Sequence, residues 1–367
     1  MSININDIKN SKVLVRVNYD LSNLQDDERI NDSLETIQTL LEQNNKVILC
    51  THWGRPKIED IKSHSEFSTS RLDDVLEEKL AESVLFINQF NSWIEAKEEI
   101  DNARENVILL ENTRYSSDEK STDSAIRLEL AKKYATLADY YIDEAFAVSH
   151  RQEATNTEIK LLLPCCHGIS FLNETTNLDK LKNPTKLFAV VMGGAKLETK
   201  LDLLNKILPK ADKLIVGGML CFTFIAAKKA MGYEDIPEIF DSVIELDFIE
   251  TAKDLIRTYG DKIVTPKDFV YSPDGKFAYD IGSKTLELFE NTLRDTKTIF
   301  WNGPMGFYEK QPYDRGTLEL GTIIASINDA FKVIGGGDTG SALPSYILDG
   351  MDFVSMGGGA TLEYLCK

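Results

Sequence analysis

Residues 12–20 read KVLVRVNYD. The first six are mostly apolar and β-branched, and they lack the in-out alternation of a half-exposed strand. Such a run is a strand buried on both faces. SLETIQTLLEQ (33–43) follows, with apolar residues three and four apart as on an amphipathic helix, and then KVILCTH (46–52), a second buried strand. The rhythm returns with NVILLEN (106–112), SAIRLELAKKYATLA (124–138) and DYYID (139–143). In the second half it is carried by KLFAVVMGG (186–194), DKLIVGG (212–218), DKIVTP (261–266), TKTIFWNGP (296–304), FKVIGGGD (331–338) and DFVSMGGGA (352–360). Buried strands separated by helices predict parallel sheets covered on both faces. The polar segment LNETTNLDKLKNPTK (172–186) reads as a helix and turn. The expectation is therefore an α/β protein of two doubly wound parallel-sheet domains, 1–170 and 171–367, joined by a hinge helix, the last few residues reaching back to the first domain.

Composition sets limits on function. The chain has 367 residues, enough for two or three domains, and 27% charged against 43% hydrophobic residues argues against disorder. No apolar run approaches the roughly 20 residues of a membrane span. MSININDIKN lacks a basic-then-apolar signal, so a cytoplasmic location is expected. Asp+Glu 59 against Lys+Arg 41 gives a net charge of −18, which disfavours a broad surface for nucleic acid or anionic membrane. The five cysteines (50, 165, 166, 221, 366) contain no CxxC pair and read as reduced thiols. Charge and glycine are divided unequally. Eight of eleven arginines lie in residues 1–151, and 20 of 22 glycines lie after residue 180.

Ligands of doubly wound sheets bind at the carboxyl ends of the strands. In the first half these ends carry Asn18 and Asp20, His52 and Arg55, Arg114, and His150 with Arg151, while Arg29 is expected in the loop DDERI before the first helix. One such arginine is best read as a surface ion pair. Four at successive strand ends, with two histidines, make a bidentate trap for phosphate or carboxylate. His64 and His167 sit in polar surroundings and read as structural. In the second half the ends carry glycine: MGGAK (192–196), VGGM (216–219), NGPMG (302–306), IGGGDTG (334–340) and MGGGA (356–360). Five glycine turns suggest backbone amides approaching phosphate oxygens at helix N-termini. Neither a P-loop nor a GxGxxG after the first strand is present, which disfavours a P-loop enzyme and a nicotinamide dehydrogenase. Asp338 and Thr339 offer oxygens to Mg²⁺ with a nucleotide, and Lys196 and Lys200 are expected on one helix face against the same phosphates. One domain would hold a small anion and the other a nucleotide.

The order of motifs resembles the phosphoglycerate kinase family over nearly the whole chain: KVLVRVNYDL, DDERI, VILCTHWGRP, VILLENTRY, DEAFAVSHR, GGAKLETK, DIGSKT, TIFWNGPMGFYE, IGGGDTGSAL and MGGGATLEYL. The resemblance implies Rossmann-like domains, a cytoplasmic monomer, and reversible phosphoryl transfer from MgATP to 3-phosphoglycerate, giving 1,3-bisphosphoglycerate and ADP. It assigns the triose acid to Asn18, Asp20, Arg29, His52, Arg55, Arg114 and Arg151. It places Arg29, Lys196, Lys200, Gly337 and Gly358 at the transferring phosphoryl group. It gives the nucleotide Gly194, Ala195, Lys200, Gly218, Asn302, Pro304, Glu309, Gly336, Gly337, Asp338 and Thr339, with Asp338 toward Mg²⁺.

The chain departs from the family pattern at five places. DFN is Asn18-Tyr19-Asp20, exchanging acid and amide; the aspartate before the second lysine is Thr199; the third glycine of GGGM is Met219; TGGGA has Met356; and the chain stops at Lys367, short of the family's returning segment. Altered hydrogen bonding to the acceptor and weaker coupling between the domains are expected. The alternative to an active kinase is a weakened binding or regulatory relative.

Overall fold

The computed structural model of the chain describes residues 3–24, 27–56 and 66–367, so His64 lies outside the described residues. Two compact units, Met1–Thr175 and Thr176–Lys367, meet within the helix Ile169–Lys182.

The first unit holds six parallel strands: β1 (Lys12–Arg16), β2 (Lys46–Cys50), β3 (Val84–Ile87), β4 (Val107–Leu110), β5 (Tyr140–Asp143) and β6 (Cys165–His167), in the order β3-β4-β2-β1-β5-β6. Alternate residues of the same strands feed two cores. Val13 and Val15 pack with Val47, Leu49, Val107 and Leu109 on one face, while Leu14 packs with Ile48, Ile108, Leu110 and Tyr141 on the other. This is why the strands read as unbroken apolar runs. Each fully buried aliphatic side chain contributes about 1.5–3 kcal/mol.

The second unit repeats the plan with β7 (Phe188–Met192), β8 (Lys213–Val216), β9 (Ile263–Val264), β12 (Thr298–Asn302), β13 (Phe331–Gly335) and β14 (Phe353–Ser355), ordered β14-β13-β12-β7-β8-β9. An antiparallel hairpin, β10 (Phe269–Tyr271) with β11 (Ala278–Ile281), stands beside it. Two doubly wound α/β sheets are thus present. β3, β6 and the hairpin were not expected from the sequence, being short or edge segments whose strand character comes from their partners.

Two local readings need correction. The first helix runs Glu28–Glu42, with Ile30, Ser33, Ile37 and Leu40 buried along one face, so Arg29 sits in its first turn instead of a preceding loop. The C-terminal helix Gly359–Cys366 packs within the second unit, against the helix Leu201–Ile207. There Tyr364 Oη donates to Asp179 Oδ1 at 2.9 Å, and Lys182 Nζ lies 3.8 Å from its ring centroid. The last residues are therefore tied to their own unit.

In each sheet the winding reverses once, between β1 and β5 in the first and between β7 and β12 in the second. A crevice opens at such a switch point, beyond the carboxyl ends of the strands.

Candidate active site

The β1 end of the first crevice is built from the exchanged pair. Asp20 Oδ1 accepts from Gly54 N–H at 2.8 Å, and its Oδ2 stands 3.4 Å from His52 Nε2. Burial alone would raise this carboxyl; the His52 and Gly54 contacts and the Arg114 charge outweigh it and hold Asp20 below the usual carboxylate range. The acid at position 20 is thus spent on fixing the His52–Arg55 loop. Asn18 is left with a buried Oδ1 that has no hydrogen-bond partner among the described residues.

The cations arrive from separate elements. Arg29 Nη1 donates to the Asp20 carbonyl at 2.6 Å. Arg114 follows β4, donates through Nη1 to the Gly54 carbonyl, and leaves a buried Nε unpartnered among the described residues. Arg151 follows β5, its amide donating to Val148 O at 2.9 Å. His52 is 1% exposed, and its Nε2 has no partner among the described residues closer than Asp20 Oδ2. Burial pushes the imidazole down to about 4, opposed by Asp20 and reinforced by Arg16 and Arg114, so it is neutral at physiological pH. The sequence reading missed Lys120. Its ammonium is lowered by burial and by the fields of Arg114, Arg151 and Arg55, which places it with the same cations. The signal was available as the basic end of a turn six residues beyond Arg114.

At the second switch point backbone meets backbone. Gly193 N–H donates to Asn302 O at 2.8 Å, Gly194 N–H to Pro304 O at 2.9 Å, and Gly218 N–H to Met305 O at 2.9 Å. A Cβ on Gly218 (φ +56°) would lie 2.5 Å from Gly194 N, and one on Gly303 (φ +92°) 2.4 Å from Gly193 C. These glycines are required by the crossing of three loops. Gly337 is different, because a Cβ there would meet nothing within 4 Å.

Beneath the crossing lies a cavity of about 480 Å³ lined by Ala195, Met219, Tyr279, Pro304, Phe307, Glu309 and Asp338, among others. Tyr279 sets its aromatic wall, edge-on to Phe307 at 5.7 Å and stacked on Phe277 at 6.1 Å. Met219, 42% exposed, extends into the lining where a glycine would leave space. A depression of about 450 Å³ bordered by Thr296, Lys297 and Asp329 sits before β12 and β13, at the opposite end of the sheet from the glycine turns, which excludes it as the ligand crevice.

Lys200 Nζ donates to Asn302 Oδ1, and Asn302 Nδ2 donates in turn to Gly335 O. Burial lowers the Lys200 ammonium and the facing Asp338 opposes this. Lys200 is therefore oriented without the carboxylate that Thr199 replaces; the Thr199 hydroxyl donates to Lys196 O at 3.0 Å. Two expectations change here. Lys196 precedes the turn Glu198–Lys200 and its helix, so the lysines do not share a helix face. The amides that open that turn are already occupied: Glu245 accepts from Leu197 N–H, and from Glu198 N–H at 3.4 Å. Phosphates would meet lysine side chains here, not a vacant helix N-terminus. The buried Thr339 hydroxyl accepts from Gly303 N–H at 2.7 Å, which ties it to the turn after β12.

One crevice that collects guanidinium groups and another that seats a nucleotide-sized cavity under glycine turns define a phosphotransferase of the two-domain kinase class. A model of phosphoglycerate kinase matches residues 3–366. The phosphoglycerate kinase of Lactiplantibacillus plantarum is 36% identical, over 98% of this chain and 94% of its own, and that of Thermosipho africanus is 37% identical, over 98% and 93%. The solved phosphoglycerate kinase structure from Coxiella burnetii superposes with a TM-score of 0.81 at 30% identity, covering 98% of this chain and 94% of its own. The one from Pyrococcus horikoshii gives 0.79 at 27% identity with the same coverage. The chain belongs to the phosphoglycerate kinase family, whose members are kinases that transfer phosphate to a carboxyl group.

Proposed function

We propose that the protein transfers the terminal phosphoryl group of MgATP to the carboxylate of 3-phosphoglycerate, reversibly, as a cytoplasmic monomer. The observation that carries this is a set of buried polar atoms, Asn18 Oδ1 and Arg114 Nε without a partner among the described residues and His52 Nε2 facing Asp20 Oδ2 at 3.4 Å, in the field of Arg29, Arg55 and Arg151. Buried polar groups are nearly always satisfied. These call for a ligand that supplies a hydroxyl donor to Asn18 and anionic oxygens to the histidine and arginines, and 3-phosphoglycerate has one hydroxyl between two anions.

The nucleophile is a carboxylate oxygen, already ionised, so no general base is needed, and neutral His52 serves as a hydrogen-bond donor. As the new O–P bond forms, the bond to the ADP oxygen breaks, and the electron pair leaves with ADP. Arg29, Lys196 and Lys200 would carry the charge that spreads over the equatorial oxygens, with backbone amides at Gly337 and Gly358. The aromatic-walled cavity suits the nucleoside, with Glu309 on its wall for the ribose. No group of three His, Cys, Asp or Glu among the described residues could hold a metal by itself. Asp338 on the cavity wall fits a Mg²⁺ that enters on the nucleotide phosphates, where it would neutralise charge that opposes attack by an anion. Reaction requires the two sites to be brought together by closure about the helix Ile169–Lys182, which also excludes water as a competing acceptor.

The test is NADH oxidation in a mixture of 3-phosphoglycerate, MgATP and glyceraldehyde-phosphate dehydrogenase. Robust turnover is expected. Background turnover by folded protein would overturn the assignment in favour of a weakened relative, which Thr199, Met219 and the missing returning segment motivate.

A further inference from the structure

Arg16 is a fully buried guanidinium at the carboxyl end of β1, and no role has been given to it. Its partners are specific. Nη1 donates to Val17 O at 2.6 Å, Nε to Thr155 Oγ1 at 3.0 Å, and Nη2 to Glu153 Oε2 at 3.2 Å, while Nη2 also lies 3.1 Å from His52 Nδ1. A guanidinium has donors only. The Nδ1 facing it must therefore be the lone-pair nitrogen, and the ring proton must sit on Nε2. That Nε2 is buried and stands 3.4 Å from Asp20 Oδ2, an acceptor that also favours the proton there, and has no closer partner among the described residues.

We propose that Arg16 is a positioning residue of the acceptor site, which locks His52 as the neutral Nε2–H tautomer so that the ring presents a donor to the bound anion. This rests on the reading of the first crevice as the triose-acid site. The other tautomer would present a lone pair to a carboxylate or phosphate and repel it. An imidazolium would put an N–H against the guanidinium. The remaining charged groups acting on the ring are Asp20 after β1, Arg114 after β4 and Glu153 after β5. The two arginines disfavour protonation and the two acids favour it. Glu153 also balances the buried Arg16 charge, its carboxyl held low against burial chiefly by Arg16. Behind them the Thr155 hydroxyl accepts from Arg16 and donates to Glu119 Oε1, which fixes the guanidinium plane.

The experiment is ¹⁵N spectroscopy of the imidazoles, tractable with four histidines in the chain. In the wild type, His52 is expected as the neutral Nε2–H form from pH 8 to about 5, with its signals shifting on addition of 3-phosphoglycerate. In Arg16→Lys, which keeps the charge but loses the fork, the two neutral tautomers mix, while burial and Arg114 still hold the ring below its ordinary value. KM for 3-phosphoglycerate rises about tenfold, the size of one lost hydrogen bond to a charged group, and KM for MgATP holds. Thr155→Val, a nearly isosteric change that frees Arg16 Nε and also removes the hydrogen bond to Glu119, gives a smaller shift in the same direction and serves if the lysine variant does not fold. A wild-type His52 found as Nδ1–H or as imidazolium at pH 7 overturns the proposal. So does an unchanged tautomer in both folded variants. A correct tautomer whose signals ignore saturating 3-phosphoglycerate overturns instead the acceptor reading on which Arg16's role depends.

Discussion

Lys200 is the residue where orientation and charge separate most cleanly. Its Nζ is held by Asn302, and burial disfavours the ammonium while Asp338 supports it. Lys200→Ala is expected to lower kcat by about 10²–10³, the scale of one lost transition-state donor, with a much smaller change in nucleotide affinity. Equal losses in kcat and in ATP titration would remove it from the chemical step. Arg29 differs because its guanidinium is anchored to the Asp20 carbonyl, in the crevice proposed for the acceptor. Arg29→Ala should cut turnover and raise KM for 3-phosphoglycerate while leaving nucleotide binding intact, and calorimetry with ADP checks this. Both residues were legible in the sequence because each stands in an ordered motif, DDERI and GGAKLETK. Arg16 was not. It hides in the apolar run that identifies the strand, and its partners come from residues 52, 153 and 155, which only the fold assembles.

At the scale of elements, strands buried on both faces announce themselves, because side chains at every position must be apolar. Hence β1, β2, β4, β7, β12 and β13 could be read directly. β6 is Cys-Cys-His, an edge strand defined by its pairing with β5; periodicity has nothing to register in such a piece. The same limit hid Glu245. Its carboxylate reaches over forty residues back along the chain to the amides of Leu197 and Glu198, and its own N–H donates to Thr223 Oγ1 at 3.2 Å. It therefore staples the segment after the glycine turn to the lysine-bearing turn. Removing a cap of this kind costs about 1 kcal/mol. Glu245→Ala should speed amide exchange at Leu197 and Glu198 about fivefold and lower kcat, with Glu245→Gln intermediate. Unchanged exchange at those two amides would show that the staple does not hold the turn.

For the whole molecule, the acidic balance acts on stability as well as on partners. Against the net charge of −18, several carboxyls are buried with little compensation. Burial raises Glu119 to about 8, with Glu153 adding to it; burial raises Glu144 to about 7 despite the Thr36, Phe171 and Ser170 hydrogen bonds; and burial raises Asp280 to about 7 despite the Gly316 and Ile281 amides. An acid whose folded pKa lies above its unfolded value of about 4 binds more protons folded than unfolded, so its contribution falls as pH rises between the two values. Each such group changes stability by up to about 1.4 kcal/mol per pH unit within that window. Asp20 and Glu153, held low, act oppositely: their contribution is complete above about pH 5 and is lost only in stronger acid. The two sets place maximal stability near pH 5–6, below the neutral optimum expected if every acid were a surface group. Calorimetric unfolding at pH 5.5, 6.5 and 8 should show Tm falling across the series. Because Asp280 lies in the second unit and Glu119 and Glu144 in the first, Asp280→Asn should flatten the trend only in that unit's transition where the two are resolved. A Tm that rises from pH 5.5 to 8 would mean that these acids are ionised and compensated in the fold, and would remove the basis for reading them as buried neutral groups.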